Sequence, residues 1–383
     1  MRQDLLLRLR IKRIFLGSIL LLGIVSMSSH VSAQQQGHFS DFTMAPSALN
    51  PGLTGAFKGT YRVNGLYRGQ WGNFGDSKAV KTIVASGEFN IKAGLLLEND
   101  WISAGLNLYN DQAGTANRKY NGTGFSVGYH IGLDDDYANV FSVGLNYSNL
   151  SSSVSNYRLL GDISNATVQP NFSSGQFEGE CTLPGCDTQN EGSNSGSDIS
   201  LGVTYKTEIE DNVVRFGLAL NHLNAPETTI AVARGGGGDT MLPGVDPVDR
   251  NRTIDGFRRN LVLHAEASTL LSDRLRLNPA FLFMTSGGTT EIQVQSTLEY
   301  LVNAKEQFSL IGGLGFRPLP SFDAGYLIGG IRMKDLTVRL SYDVTLSSLS
   351  RLGGGNGFEM SVGYVGRIYK DPNVEKVIFC PRL

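Results

Sequence analysis

Beyond its first 33 residues, the sequence lacks any apolar run long enough to cross a bilayer as a helix. It also lacks an excess of one charge, since 33 Lys and Arg residues stand against 35 Asp and Glu residues, for a net charge of −2. Nucleic-acid-binding proteins usually carry a basic surplus, so no nucleic-acid partner is expected. The remaining possibilities are a soluble protein, a peripheral protein or a β-barrel.

The sequence also lacks the motifs that enzymes and cofactor-binding proteins use. The glycine run at 235–238 is not followed by the Lys-Ser/Thr of a phosphate-binding loop, and Asp134 to Asp136 lack the ligand spacing of a calcium loop. The scattered histidines do not lie in an HExxH motif or near a GxSxG serine: His38, His130, His222 and His264. We therefore predict no enzyme activity, no cofactor and no metal site.

Cysteine is scarce, with only three residues in the chain. Cys181 and Cys186 flank the turn-like sequence TLPG, and in an oxidising compartment they can close a small loop through a disulfide. Two unpaired loop thiols are the alternative. A zinc site is disfavoured because Cys181 and Cys186 have no further Cys or His nearby.

The first 33 residues have the organisation of a secretory signal peptide. Basic residues precede the apolar run Ile14 to Val25, and small residues end at Ala33. The apolar run is shorter than the roughly 20 residues that a spanning helix needs, which disfavours a retained anchor. We expect cleavage after Ala33, so that the mature, exported chain begins at Gln34.

A strict alternation of apolar and polar residues marks the segment from Leu336 to Val344, LTVRLSYDV. Successive side chains of a strand point to opposite faces, so this strand has one apolar face and one face that carries Arg339 and Asp343. A charge that faces lipid at mid-depth costs about 2 to 4 kcal/mol. We therefore predict lipid on the apolar face and a polar lumen on the other.

Similar alternation recurs along the chain and predicts a transmembrane β-barrel of about fourteen antiparallel strands. Glycine is abundant, with 47 of 383 residues, and overall hydrophobicity is an ordinary 41%, as in barrels whose strands meet lipid at every second residue. The strands are predicted at residues 57–68, 80–92, 101–111, 119–132, 137–149, 198–209, 212–222, 257–269, 272–285, 290–301, 305–317, 321–331, 335–347 and 356–369. Pro279 interrupts one of them and suggests a bulge or a strand end.

The connections between the predicted strands are sorted by length. Long ones, such as 151–197 and 224–256, follow odd-numbered strands, whereas tight ones such as Met333-Lys334 follow even-numbered strands. Outer-membrane barrels have short periplasmic turns and long external loops. We therefore expect an outer-membrane protein with both termini in the periplasm: a periplasmic segment or plug at 34–56, a barrel at 57–369 and a tail at 370–383.

Several short motifs stand out towards the two ends of the sequence. On the N-terminal side they are Phe39, Ala45-Pro46, Leu49-Asn50-Pro51 with Gly55, and Tyr67-Arg68-Gly69-Gln70-Trp71. On the C-terminal side they are Tyr342-Asp343-Val344, Ser347-Ser348-Leu349, Gly357-Phe358-Glu359 and Cys380-Pro381-Arg382. In this order and placement, the motifs resemble the PorP/SprF family of outer-membrane proteins from the type IX secretion system of Bacteroidota. Departures are Ala45, where the family often has Asn, and Leu383, where Phe is frequent.

The resemblance implies a non-enzymatic component of the secretion or gliding machinery, which docks secreted proteins that carry a sorting C-terminal domain. Other secretion or gliding components and outer-membrane lipid would be further partners. A channel for small molecules or hydrophobic solutes is the alternative. The candidate partner-binding residues are Phe39, Leu49, Asn50, Pro51, Tyr67, Arg68, Trp71, Cys380, Pro381 and Arg382; fastening the barrel closed is their alternative role.

Overall fold

A computed structural model shows a β-barrel whose N-terminal segment lies inside it. The structure describes residues 39–70, 80–91, 99–113, 118–154, 192–210, 212–226, 230–231, 253–254, 257–287, 289–319, 324–346 and 356–368. Among these residues, no helix is both long and apolar enough to cross a membrane. Cys181, Cys186, Trp71 and Cys380 to Arg382 lie outside the described residues.

The described chain contains three short helical segments followed by sixteen strands. The helical segments are a 3-10 turn at Phe42–Met44, an α-helical turn at Pro46–Leu49 and a 3-10 turn at Pro51–Leu53. The strands are β1 Tyr61–Gln70, β2 Val80–Ile91, β3 Trp101–Ala113, β4 Arg118–Gly132, β5 Val140–Val154, β6 Gly192–Ile209, β7 Asn212–Asn221, β8 Ile230–Ala231, β9 Thr253–Ile254, β10 Asn260–Ser272, β11 Leu275–Ser286, β12 Thr289–Asn303, β13 Phe308–Leu319, β14 Ala324–Met333, β15 Leu336–Thr345 and β16 Gly357–Gly366.

Fourteen of these strands form a closed antiparallel barrel, which confirms the predicted fold. Each strand pairs with its neighbour in sequence, except that β7 pairs with β10, because the short strands β8 and β9 form a separate hairpin between them. Pairing of β1 with β16, from Tyr61 opposite Gly366 to Gln70 opposite Gly357, closes the cylinder. Closure leaves the sheet of the barrel, in the described part of the chain, without an edge strand.

The two ends of the barrel carry different connections. At the end where β1 finishes at Gln70, which we call the loop end, β5 and β7 also finish, and the long connections 155–191 and 222–259 follow them in the sequence. At the opposite end, the turn end, β1 begins at Tyr61, and tight connections such as 273–274 and 334–335 join the strands. The predicted sorting of long and short connections is therefore present.

The two faces of the wall have the predicted chemistry. In β15, Leu340, Tyr342 and Val344 face outward with 43% to 46% exposure, while the alternate residues Arg339, Ser341 and Asp343 are buried. The apolar outer face suits lipid, and the polar inner face lines the lumen.

Pro279 lies within β11 and pairs with Ser296 of β12. On its other side the ladder passes from the Glu266–Ala280 pair directly to the Thr269–Leu277 pair. A proline has no N–H to donate, so the ladder opens locally instead of the strand ending. Of the two alternatives predicted at Pro279, the strand end is wrong, because β11 continues through this residue. The turn predicted between the strands at 270–271 lies three residues further on, at 273–274.

Candidate functional site

The lumen is occupied by residues 39–56, which we call the luminal segment. The segment begins near the loop end, where Ser40 contacts β15 and β16, and it ends near the turn end, where the carbonyl of Gly55 faces Trp101 at the start of β3. Its prolines, at Pro46 and Pro51, each begin a helical turn, where a missing N–H costs nothing. These turns make the segment short and compact enough to pack inside the barrel.

A cluster of three arginines and three carboxylates, the charged cluster, holds the segment at the loop end. Arg68 Nη2 donates to Asp343 Oδ2 over 2.7 Å, and Arg317 Nη2 donates to the same oxygen over 2.7 Å. Arg68 Nη1 donates to Glu359 Oε2 over 3.0 Å and also to Ser40 Oγ. The remaining pair joins Arg339 to Asp41.

The carboxylates of the charged cluster also accept hydrogen bonds from the backbone of the luminal segment. The amides of Ser40 and Asp41 each donate to Glu359 over 2.9 Å, and Ser40 Oγ donates to Asp343 over 2.5 Å. A buried charge needs such partners to offset the loss of water. The wall of the barrel thus recognises the backbone of this segment and not only its side chains.

Asp41 is the carboxylate that the segment itself contributes to the charged cluster. Its oxygens accept from Arg339 over 2.9 Å, from Gln295 over 3.1 Å and from Thr43 over 2.6 Å. Burial raises the pKa of Asp41, but the Arg339 guanidinium and these hydrogen bonds outweigh it and hold the pKa below its usual value of 3.8. Asp41 is therefore ionised at neutral pH and tied to the wall by charge.

Asn50 holds the middle of the segment. Its Oδ1 accepts from the amide of Gly52 over 2.8 Å, and its Nδ2 lies 3.2 Å from the carbonyl oxygen of Val203 and 3.1 Å from Nε2 of His264. The Asn50 side chain is fully buried. It caps the turn at Pro51–Leu53 and connects that turn to β6 and β10.

Near the turn end, the backbone of the segment bonds to side chains of the wall. Ser103 Oγ donates to the carbonyl of Thr54 over 2.7 Å, and the amide of Gly55 donates to Glu88 over 2.8 Å. Arg62 pairs with Glu88 over 2.7 Å and donates to the carbonyl of Leu53 over 2.9 Å. Contacts thus follow the segment through the full length of the lumen.

Glycines in the wall make room for the segment. A Cβ on Gly144 would lie 2.1 Å from the carbonyl oxygen of Pro51, and a Cβ on Gly202 would lie 1.8 Å from Oδ1 of Asn50. Neither approach is compatible with a side chain. Part of the high glycine content therefore serves the close contact between wall and segment.

Apolar packing completes the docking. Phe42, Leu49 and Leu53 of the segment pack against Ala219, Val262, Ala280 and Leu282 of the wall. Met44 and Ala45 pack against Leu66 and Val84. Several of these wall residues point into a lumen that would otherwise be polar, so they mark the surface that the segment covers.

The structure separates the predicted partner-binding residues into two groups. Leu49, Asn50, Pro51 and Arg68 are buried and Phe39 is half-buried, all of them facing the lumen, whereas Tyr67 points outward with 37% exposure. Tyr67 and Arg68 are neighbours in one strand, so they lie on opposite faces of the wall. Trp71, Cys380, Pro381 and Arg382, like Cys181 and Cys186, lie outside the described residues.

Asp41, Arg317 and Glu359 were not among the predicted site residues. Glu359 is 319 positions away from Ser40; the pairing of β1 with β16 places Glu359 opposite Arg68, and docking of the luminal segment brings Ser40 to both. A usable signal was present in the inward charges of β15, Arg339 and Asp343, because buried charges require partners of opposite sign.

A family model described as type IX secretion system membrane protein PorP/SprF matches residues 31–364. No curated relative matches the sequence.

Solved structures with a similar fold are outer-membrane barrels. The toluene transporter TbuX of Ralstonia pickettii is 14% identical over 85% of this chain and 94% of its own, with a TM-score of 0.46. A Pseudomonas aeruginosa FadL homologue is 12% identical over 83% of this chain and 94% of its own, with a TM-score of 0.44. The translocator domain of the autotransporter NalP from Neisseria meningitidis is 14% identical over 84% and 94%, with a TM-score of 0.41. Similarity at this level says nothing about function.

Proposed function

The chain belongs to the PorP/SprF family of type IX secretion system membrane proteins, and from that premise we propose that it docks secreted proteins at the outer membrane. The cargo is a protein with a sorting C-terminal domain, and the barrel acts without enzymatic chemistry. Other secretion or gliding components are the second class of partner. Both classes of partner are proposed on the basis of family membership and not from a contact in the structure.

The observation that supports docking is the occupied lumen. The luminal segment is bound along its length by the charged cluster, by the Asn50 contacts and by the turn-end hydrogen bonds. A lumen filled in this way leaves the two ends and the outer wall as surfaces for partners. A role in docking needs only those surfaces, whereas a role as an open channel needs the lumen.

We propose that the loop end faces the cell exterior and the turn end faces the periplasm. Short turns at the periplasmic side are the rule in outer-membrane barrels. In this orientation the connections 155–191 and 222–259 meet the cargo, and the tight turns meet the machinery. Residues 1–33 act as signal peptide and 370–383 as a periplasmic tail in the same proposal.

The predicted partner-binding residues divide accordingly. The burial of Leu49, Asn50 and Arg68 favours a fastening role inside the barrel. Our proposed partner contacts remain Tyr67, which is exposed on the outer wall, Trp71 and the terminal Cys380 to Arg382.

Site-specific photo-crosslinking in the bacterium that makes the protein tests this proposal. A crosslinker replaces Asn356 at the loop end or Lys334 at the turn end, and both positions are exposed. Mass spectrometry of the products should identify proteins with a sorting C-terminal domain from Asn356 and secretion components from Lys334. A crosslinker at Leu327, which is 65% exposed on the outer wall, serves as the control and should capture lipid.

The proposal is wrong if Asn356 and Lys334 recover only what Leu327 recovers. If both positions recover secretion components and neither recovers cargo, the protein is a part of the machinery that does not contact cargo, and the docking proposal is wrong.

A further inference from the structure

A cavity of about 110 Å³ lies beside the luminal segment in the loop-end half of the lumen. Its apolar walls include Phe39, Tyr109 and Leu150, and its polar walls include Asn107, Asp198 and His222. Such a mixture of apolar walls and a few polar groups is typical of small-ligand sites. The charged cluster and the Asn50 contacts do not use these polar groups.

Asp198 is the one carboxylate among the residues that line this cavity, and its side chain is 2% exposed. Its Oδ2 accepts from Ser148 over 3.4 Å and from Ser200 over 3.3 Å, and it lies 3.1 Å from Nδ1 of His222. Its Oδ1 is buried and has no hydrogen-bond partner within the described part of the chain. A buried carboxylate oxygen without a donor is costly, so a donor is expected.

Asn107 presents a second acceptor of the same kind. Its Nδ2 donates to Ser126 over 3.1 Å and to Asn146 over 3.4 Å. Its Oδ1 is buried and, within the described ranges, has no partner. Two acceptors around one cavity call for a ligand that brings several hydrogen-bond donors, and the charge of Asp198 favours a cation.

We propose that this cavity binds an alkylammonium group, supplied either by a free primary amine or by the lysine side chain of a protein segment. The ammonium donates to Asp198 and Asn107, since it carries three N–H groups and no acceptor. The methylene chain packs on Phe39, Tyr109 and Leu150. A dry cavity of about 150 Å³ holds benzene, so the volume here suits a chain of a few methylenes.

This proposal goes beyond docking at the outer membrane and does not depend on it. Binding is measured on the purified full-length protein in lipid nanodiscs, with no cargo or machinery present. The probes are n-butylamine, n-butanol as its neutral counterpart, and the peptides Gly-Lys-Gly and Gly-norleucine-Gly. Saturation-transfer NMR detects the ligand, and isothermal titration gives its dissociation constant.

Two variants and one control separate a binding site from a structural effect. Asp198→Asn keeps the shape and should weaken butylamine by at least about tenfold, because a charged hydrogen bond is lost. Ala48→Leu, at a residue that also lines the cavity, should weaken it by filling the space. Asp335→Asn removes the same charge at the turn end and should leave binding unchanged. Heat-shifted gel mobility confirms that each barrel is folded.

Binding of butylamine but not butanol, lost in both variants, supports the proposal. Additional binding of the lysine peptide identifies a protein as the source, whereas binding of the free amine alone identifies a small molecule. Equal binding of butylamine and butanol, equal binding by Asp198→Asn, or no binding at all overturns it.

Discussion

Replacement of Asp41 by Asn tests whether charge fastens the luminal segment to the wall. The change keeps the size of the side chain but leaves Arg339, whose side chain is 9% exposed, without its carboxylate. Removal of one partner from a buried ion pair costs about 3 to 5 kcal/mol. Asn retains one acceptor oxygen, so we expect the lower value.

A cost of about 3 kcal/mol corresponds to a roughly hundredfold rise in the population of the undocked segment. Labelling of a cysteine at Ser47, which is buried in the segment, reports that population. For this experiment, the three natural cysteines are first replaced by Ser, so that the cysteine at position 47 is the one thiol that can react. Its rate of reaction with a water-soluble maleimide should rise about a hundredfold in Asp41→Asn, as long as docking is fast relative to labelling.

Asp335→Asn is the matched control, because it removes a carboxylate at the turn end, away from the segment. Its labelling rate should equal that of the parent protein. A labelling rate in Asp41→Asn within about twofold of the parent rate would refute the reasoning. A twofold change corresponds to a loss of about 0.4 kcal/mol of docking free energy, which is typical of a solvent-exposed ion pair and not of a buried one.

Three further predictions follow from the same contacts. Because the pKa of Asp41 in the folded protein is lower than 3.8, the ionised carboxylate stabilises docking fully above pH 3.8, and this stabilisation is lost as the pH falls through the folded pKa. Acidification below about pH 3.8 should therefore increase release of the segment by a larger factor in the parent protein than in Asp41→Asn. Proteolysis of the segment by pepsin measures that release. Gly144→Ala should undock the segment by a clash with the Pro51 carbonyl, whereas Gly65→Ala, with no atom within 4 Å of its Cβ, should not, as scored by the maleimide assay. Asn50→Ala should raise the labelling rate about tenfold or more. The change removes the cap of the Pro51–Leu53 turn and leaves the buried amide of Gly52 and the carbonyl of Val203 without their Asn50 partner. An unchanged rate would contradict this prediction.

Most of the barrel was predictable because the wall obeys a local rule. The alternation from Leu336 to Val344 predicted both which residues face outward and which face the lumen, and the same rule predicted the number of strands. Strand ends were less accurate: the first strand begins at Tyr61 and not at Phe57, because residues 57–60 form bends. Pro279 was predicted to mark a bulge or a strand end, because local rules do not show that a ladder can open on one side while the strand continues.

The charged cluster was less predictable, since it depends on contacts between the two ends of the chain. Arg68 was chosen from a family motif, and its partners Asp343 and Glu359 follow only from the closure of β1 on β16. The position of the luminal segment was left open between a periplasmic segment and a plug. Its aromatic and apolar residues favour docking over exposure to water. The surface that receives them could not be predicted, because it consists of isolated apolar residues, such as Ala219 and Leu282, on otherwise polar faces.

Single-channel recording of the purified protein in a planar lipid bilayer tests the central claim most directly. A lumen filled by the luminal segment should give no steady conductance at neutral pH in the parent protein, and Asp41→Asn should add transient openings. A steady open pore in the parent protein would contradict the filled lumen and favour a channel over a docking protein.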